Sequence, residues 1–317
     1  MMVRIGAFLP SVVGISLLCF AIAHAQPPAT GHNRLGEEPQ WVTRAIEAPG
    51  VDFRTFDSAA VGCAVSYHVY LPAEYAAEPD RRFPVLYWLH GSLGGLRGIA
   101  PLSAHFGSAM REGHVPPMIV VFVNGLRLSM WVDFKDGSIP METVVIDELV
   151  PEIDASFRTI ASREGRIVEG FSMGGYGAMR LGLKYPDVFG AASSLAGGPL
   201  QKEFTHSPRI DPIRRETVLR TVFGGDHDYY RAQSPWALAE QYARGDRDDL
   251  LLRVVIGEEE MLEVTQTFVE HLEELEIPHT FSLLPGVGHD TRDVLRALGE
   301  GGWAFYREAL GGTVTAD

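Results

Sequence analysis

Short runs of unbroken apolar residues, separated by polar and glycine-rich punctuation, set the rhythm of this chain. Residues 84–89 (PVLYWL) and 118–123 (MIVVFV) are apolar throughout, the pattern of strands buried on both faces, as parallel strands are. Residues 61–71 (VGCAVSYHVYL) alternate instead, as a strand with two unlike faces does. Further strands are predicted at 166–168, 189–195, 250–256 and 280–284. Between them the period lengthens. Val144, Val145, Leu149 and Ile153 recur at helical spacing within 141–157, with Pro151 expected to kink the helix. A strongly periodic helix is predicted at 261–275, and another at 292–310, interrupted near Gly299, Gly301 and Gly302. Strands alternating with helices predict an α/β architecture, a mostly parallel central sheet flanked by helices.

Two regions break the rhythm. Residues 1–25 begin with Arg4, continue as a largely apolar stretch and end in Ala23-His24-Ala25, the layout of a signal peptide with an A-x-A cleavage site. Cys19 follows Leu18, where a lipoprotein site needs a small residue. Cleavage near Gln26 is therefore expected, giving a secreted or periplasmic protein with no stable membrane association. Residues 26–45 read as a loose arm and 46–317 as one domain. An insertion is expected at about 199–236, where prolines 199, 208, 212 and 235 interrupt a polar stretch; lids and substrate walls sit in such insertions.

Composition narrows the partners. The 317 residues are 46% hydrophobic, enough for one large core. The formal charge of −14, which loss of Arg4 takes to −15, argues against nucleic acid or anionic membrane as a partner. Signal cleavage leaves Cys63 alone, so no intramolecular disulfide is expected. Its apolar surroundings predict a core residue.

The chemistry concentrates in Gly170-Phe171-Ser172-Met173-Gly174, a G-x-S-x-G between a β-prone run and a helix opening. At a sharp strand-to-helix turn this sequence presents a serine Oγ above the sheet edge, and glycines at 170 and 174 remove Cβ atoms where the backbones crowd. Ser172 is the expected nucleophile. Its base should come later in the chain, on a loop over the same edge, and His289 in Pro285-Gly286-Val287-Gly288-His289-Asp290 fits. The orienting acid should follow the strand at 250–256, where Glu258, Glu259 and Glu260 are adjacent. The helix dipole alone would favour negative charge there. Trp131, after the strand at 118–123, is a candidate for stacking on a substrate ring, with ordinary packing the alternative. Metal-ligand spacings such as H-E-x-x-H or C-x-x-C are absent from the sequence, as are G-x-G-x-x-G after an early strand and a Walker-type G-K-[ST]. No cofactor or metal is expected.

The motifs Leu89-His90-Gly91-Ser92-Leu93-Gly94-Gly95, Gly170 to Gly175 and Pro285 to Asp290 resemble the putative-esterase group of α/β hydrolases, over about residues 60 to 290. The group includes esterase D, feruloyl esterases and mycolyltransferases. The resemblance implies an α/β-hydrolase fold and a serine esterase acting on small-molecule or carbohydrate-linked esters through an acyl-enzyme. It also implies a triad acid three positions after the strand-ending glycine, here Glu260, where most relatives carry Asp. Its oxyanion hole maps to the backbone N–H groups of Ser92 and Met173, and His90 is expected to be structural. Relatives often carry an aromatic just behind the histidine; this chain has Thr291-Arg292-Asp293. An acyltransferase using the same triad is the alternative within enzymes, and a non-catalytic binding protein retaining the fold is the alternative outside them.

Overall fold

The computed structural model describes residues 38–92, 94–198, 200–204, 212–245, 249–259 and 261–311. The signal-peptide segment lies outside the described residues. The strands are β1 (Val51–Ser58), β2 (Cys63–Tyr70), β3 (Val85–Leu89), β4 (Ile119–Val123), β5 (Arg166–Phe171), β6 (Ala191–Leu195), β7 (Leu251–Gly257) and β8 (His279–Leu284). The helices are α1 (Ala73–Ala77), α2 (Leu96–Arg111), α3 (Met141–Thr143), α4 (Val150–Ser156), α5 (Met173–Lys184), α6 (Pro212–Phe223), α7 (His227–Gln233), α8 (Pro235–Arg244), α9 (Leu262–Glu274) and α10 (Thr291–Leu310). The strands form one sheet in the order β1-β2-β4-β3-β5-β6-β7-β8. It is antiparallel from β1 to β4 and parallel from β4 to β8.

Burial explains why the apolar runs became central strands. β3, β4, β5 and β6 are buried along their whole length, and their side chains alternate between two cores. Tyr87 and Leu89 join the core on one face, with α5, α8 and α9; Leu86 and Trp88 join the other, with α2 and α10. Both faces are thus covered, as a parallel sheet requires. The chain steps from β3 outward to β4, then returns across β3 to β5. That reversal opens a crevice beyond the carboxyl ends of β3 and β5, where α/β sheets bind ligands.

Several expectations need correction. The arm is not loose in its described part, 38–45. Trp41 is buried, and its carbonyl accepts hydrogen bonds from Ser66 N (2.8 Å) and Asn124 Nδ2 (2.9 Å). Cys63 is exposed rather than in the core, because it opens β2, whose burial starts further in. Strand β1, with its mixed exposure, carries too weak a pattern to have been legible. The helical run before Pro151 is wider than expected: it is a π-helical stretch, Val144–Leu149, whose following Val150 N–H bonds back to Val145 O. It continues into α4, where the proline has no N–H to donate. The interruption of α10 is at Gly299, with φ 49° and ψ −135°. Within 199–236, residues 212–223, 227–233 and 235–244 begin or form α6, α7 and α8.

Among the described residues no helix is long and apolar enough to cross a membrane.

Candidate active site

Strand β5 runs directly into α5 with Ser172 at the turn, at φ 60° and ψ −120°. A non-glycine residue in that region is strained by about 1–3 kcal/mol and persists only where its surroundings fix it. Here they do: Ser172 N–H donates to Leu195 O (3.0 Å), while Ser172 O accepts from Tyr176 N and Gly198 N (both 3.1 Å). The two motif glycines are sterically required. A Cβ on Gly174 would stand 1.9 Å from Leu89 O, and one on Gly170 would stand 2.4 Å from the Gly174 carbonyl.

His289 reaches the serine from the far side. Its Nε2 lies 2.9 Å from Ser172 Oγ, and the Phe171 ring packs against the imidazole with centroids 4.6 Å apart. The loop carrying it is built by backbone bonds to the end of β7. Glu258 N donates to Leu284 O (2.9 Å) and Glu259 N to Val287 O (3.3 Å), and Gly286, at φ 65°, donates its N–H to Glu258 Oε2 (3.0 Å). Asp290 then caps α10, its carboxylate accepting from the N–H groups of Arg292 and Asp293.

Glu260 lies outside the described residues. Of its neighbours, Glu258 is committed to Gly286, and the Glu259 carboxylate approaches the histidine loop: Oε2 would be 3.6 Å from a Cβ placed on Gly288. Glu258 and Glu259 follow β7 on the side of the sheet edge where His289 sits.

The loop after β3 lies against the serine, for a Cβ on Gly91 would stand 3.3 Å from Ser172 Cβ. Ser92 follows it, half-buried. The Met173 N–H opens α5 and so has no partner inside its own helix. His90, at 6% exposure, is structural. Its Nε2 accepts the Gly125 N–H (3.1 Å), which leaves the proton on Nδ1 to donate to Gly91 O (2.8 Å). Burial holds its pKa down at about 4. The imidazole is therefore a neutral clamp joining the Gly91–Ser92 turn to the loop after β4.

Trp131 must be corrected as a substrate residue. Its side chain is fully buried, packed where Gly125 and Gly177 lack side chains, and its indole N–H donates to His90 O (3.3 Å). It supports the clamp from below. Leu128 and Met130 line the cleft instead. The turn that inverts the expected order bears positive φ at Leu126, Met130 and Trp131, a geometry with no simple sequence signal. Arg180 secures it, donating to Trp131 O (2.7 Å) and pairing with buried Glu142 (2.5 Å).

The cleft encloses about 860 Å³ over Ser172 and His289, the size of a small-molecule site. Phe204, Val218 and Met261 complete an apolar side with Leu128 and Met130, whereas Arg97 and Arg292 stand in the lining elsewhere. Phe204 and Val218 fall in the 199–236 insertion where substrate walls are expected, and Arg292 in the segment behind the histidine, but no motif singles them out. Arg97 has no signal at all. Among the described residues no group of three or more His, Cys, Asp or Glu side chains is arranged to hold a metal ion.

A mostly parallel sheet with a strained serine elbow facing a histidine defines an α/β hydrolase. Residues 58–310 match the family model described as Putative esterase, and the chain belongs to that family. It is 30% identical over 276 residues to Esterase Rv1288 of Mycobacterium tuberculosis, a match covering 78% of this chain and 57% of that protein. The chain thus spans little more than half the length of that curated relative. An endo-1,4-beta-xylanase/feruloyl esterase of Xylanibacter ruminicola is 36% identical over 168 residues, 49% of this chain and 22% of that protein. Among solved structures, a ferulic acid esterase superposes with a TM-score of 0.65 at 22% identity, covering 81% of this chain and 98% of its own. An S-formylglutathione hydrolase from Agrobacterium tumefaciens gives 0.65 at 19%, covering 84% and 98%. At these identities the superpositions speak for the fold.

Proposed function

We propose that the protein is a serine esterase that cleaves carboxylic esters through an acyl-enzyme. The observation that carries the reading is the 2.9 Å contact between His289 Nε2 and the Oγ of a serine held at φ 60°. Nε2 accepts the Oγ proton as the oxygen attacks the ester carbonyl carbon. The imidazolium then returns that proton to the departing alkoxide, and water repeats the sequence to release the acid. The N–H groups of Ser92 and Met173 stabilise the tetrahedral oxyanion, helped by the positive end of α5. Glu260 accepts a hydrogen bond from Nδ1–H, fixing the tautomer and stabilising the imidazolium. The substrates are small-molecule or carbohydrate-linked esters, a class consistent with the feruloyl esterase among the relatives.

Ser172→Ala should lower ester turnover by roughly 10⁴- to 10⁶-fold while the fold's circular dichroism is retained, and a fluorophosphonate should label wild type at Ser172 alone. Labelling at another serine, or an active variant, overturns the assignment. Residues 1–25 we read as a signal peptide, on the strength of Arg4, the apolar run and Ala23-His24-Ala25. N-terminal sequencing of exported protein should begin near Gln26; recovery of intact Met1 from membranes overturns that reading.

A further inference from the structure

The cleft is polarised across the serine. Ser172 sits on the crest of the sheet, and the two flanks of the cleft belong to opposite faces. On one flank stand Leu128, Met130, Phe204 and Val218, all buried members of the core that holds α5, α8 and α9. The other flank is built by the starts of α2 and α10, which share the opposite core, and it carries Arg97 and Arg292 alongside apolar Trp88, Leu102 and Phe171. Arg97 and Arg292 are the two Lys or Arg side chains among the described lining residues.

Their charges are largely available to a ligand. Among the described residues no carboxylate lies within 4.0 Å of the Arg97 guanidinium. Asp290 is the carboxylate in the cleft lining. It approaches Arg292 Nε only to 3.8 Å, and its Oδ1 is engaged in capping α10. The Arg292 side chain remains 72% exposed.

Chemistry fixes which part of an ester meets which flank. His289 must hand its proton to the leaving oxygen, so the alcohol portion departs on the imidazole side. Arg292 stands three residues beyond that imidazole, on the helix the histidine loop enters. Arg97 lies on the same core face, at the start of α2. The acyl portion then faces the apolar flank.

Resting on the esterase reading, we propose that the preferred substrates join an apolar acyl group to an alcohol bearing an anionic group, recognised by Arg97 and Arg292. The substrate class is an ester whose leaving alcohol is negatively charged.

The test uses the full chain and two acetate esters differing only in a remote substituent, 4-(acetoxymethyl)benzoate and 4-(acetoxymethyl)benzamide. Their benzylic alcohols are similar leaving groups, so the ratio of kcat/KM reports recognition of the charge and is insensitive to partial loss of folded enzyme. Wild type should favour the carboxylate by roughly three- to tenfold at low ionic strength, with the preference shrinking in high salt. Arg97→Gln and Arg292→Gln should each reduce the ratio, and the double variant should bring it near one. An unchanged ratio in the double variant, or no preference in wild type, overturns the proposal. So does a preference that appears only when the carboxylate is moved to the acyl side, as in methyl terephthalate monoester. Failure of the esterase reading looks different: neither ester turns over, and a fluorophosphonate leaves Ser172 unlabelled.

Discussion

Ser172 and His289 are single residues whose positions follow from short-range sequence, and the structure brings their reactive atoms to 2.9 Å. The acid is a different kind of problem. Glu258, Glu259 and Glu260 are consecutive, and no local rule selects among groups that the same helix dipole favours. Glu258 is spent on the Gly286 N–H, so its replacement by Gln should disturb the loop and little else. Glu260→Gln should lower kcat by roughly 10²- to 10⁴-fold with little change in KM, because an amide cannot stabilise the imidazolium as a carboxylate does. Glu258→Gln and Glu259→Gln should remain within about threefold of wild type, the size of a small dipole effect. Steady-state kinetics of the three variants checks this. A loss concentrated at Glu259 would move the acid by one residue, and an equal mild loss at all three would remove it from this turn. Trp131 shows the opposite limit of legibility. Whether an aromatic lines a cleft or supports it from beneath depends on a tight turn at Gly125 and on Gly177, 46 residues beyond Trp131 along the chain. Only the fold makes Trp131 and Gly177 neighbours.

At the scale of elements, strands were easiest to read where both faces are buried by apolar side chains, as the unbroken runs of β3 and β4 show. The edge strand β1 and the π-helical stretch at Val144–Leu149 depend on pairing and packing that no local pattern announces. The sequence also hides a charged tie between elements. Glu169 of β5 and Arg253 of β7 are almost wholly buried and paired at 2.6 Å. Arg253 reaches Ser193 of β6 (2.9 Å) and Gly302 O of α10 (3.0 Å), and Tyr306 of α10 donates to Glu169 (2.7 Å). This network joins three adjacent strands to the helix that follows the catalytic histidine. Removing one charge leaves the other stranded in low dielectric. Glu169→Gln should therefore destabilise the fold by roughly 3–5 kcal/mol, read as a lower urea midpoint with unchanged slope. Pairing it with Arg253→Met should cost less than the sum of the two single variants. Additive losses would show that the pair does not act as a unit.

Across the whole molecule, the architecture was legible because alternating strands and helices admit few arrangements, whereas the polarity of the cleft was not. Arg97, Arg292 and the pair Phe204 and Val218 come from three distant segments that meet above the sheet edge. The sheet also distributes the proposed catalytic pair unequally. Ser172 follows β5, which has a hydrogen-bonded strand on either side. His289 follows β8, which ends the sheet, pairs only with β7 and is largely half-exposed. Terminal elements of this kind open at lower free energy than a core strand does. On gradual warming, esterase activity should decline below the temperature at which near-ultraviolet circular dichroism reports loss of the core; coincident transitions would refute this. Hydrogen exchange should find the amides of β8 less protected than those of β5. The serine is thus set beside a strand held on both sides, while its proposed proton acceptor hangs from the hem. If the warming experiment bears this out, working lifetime is governed by the fraying of one marginal ribbon rather than by the endurance of the fold.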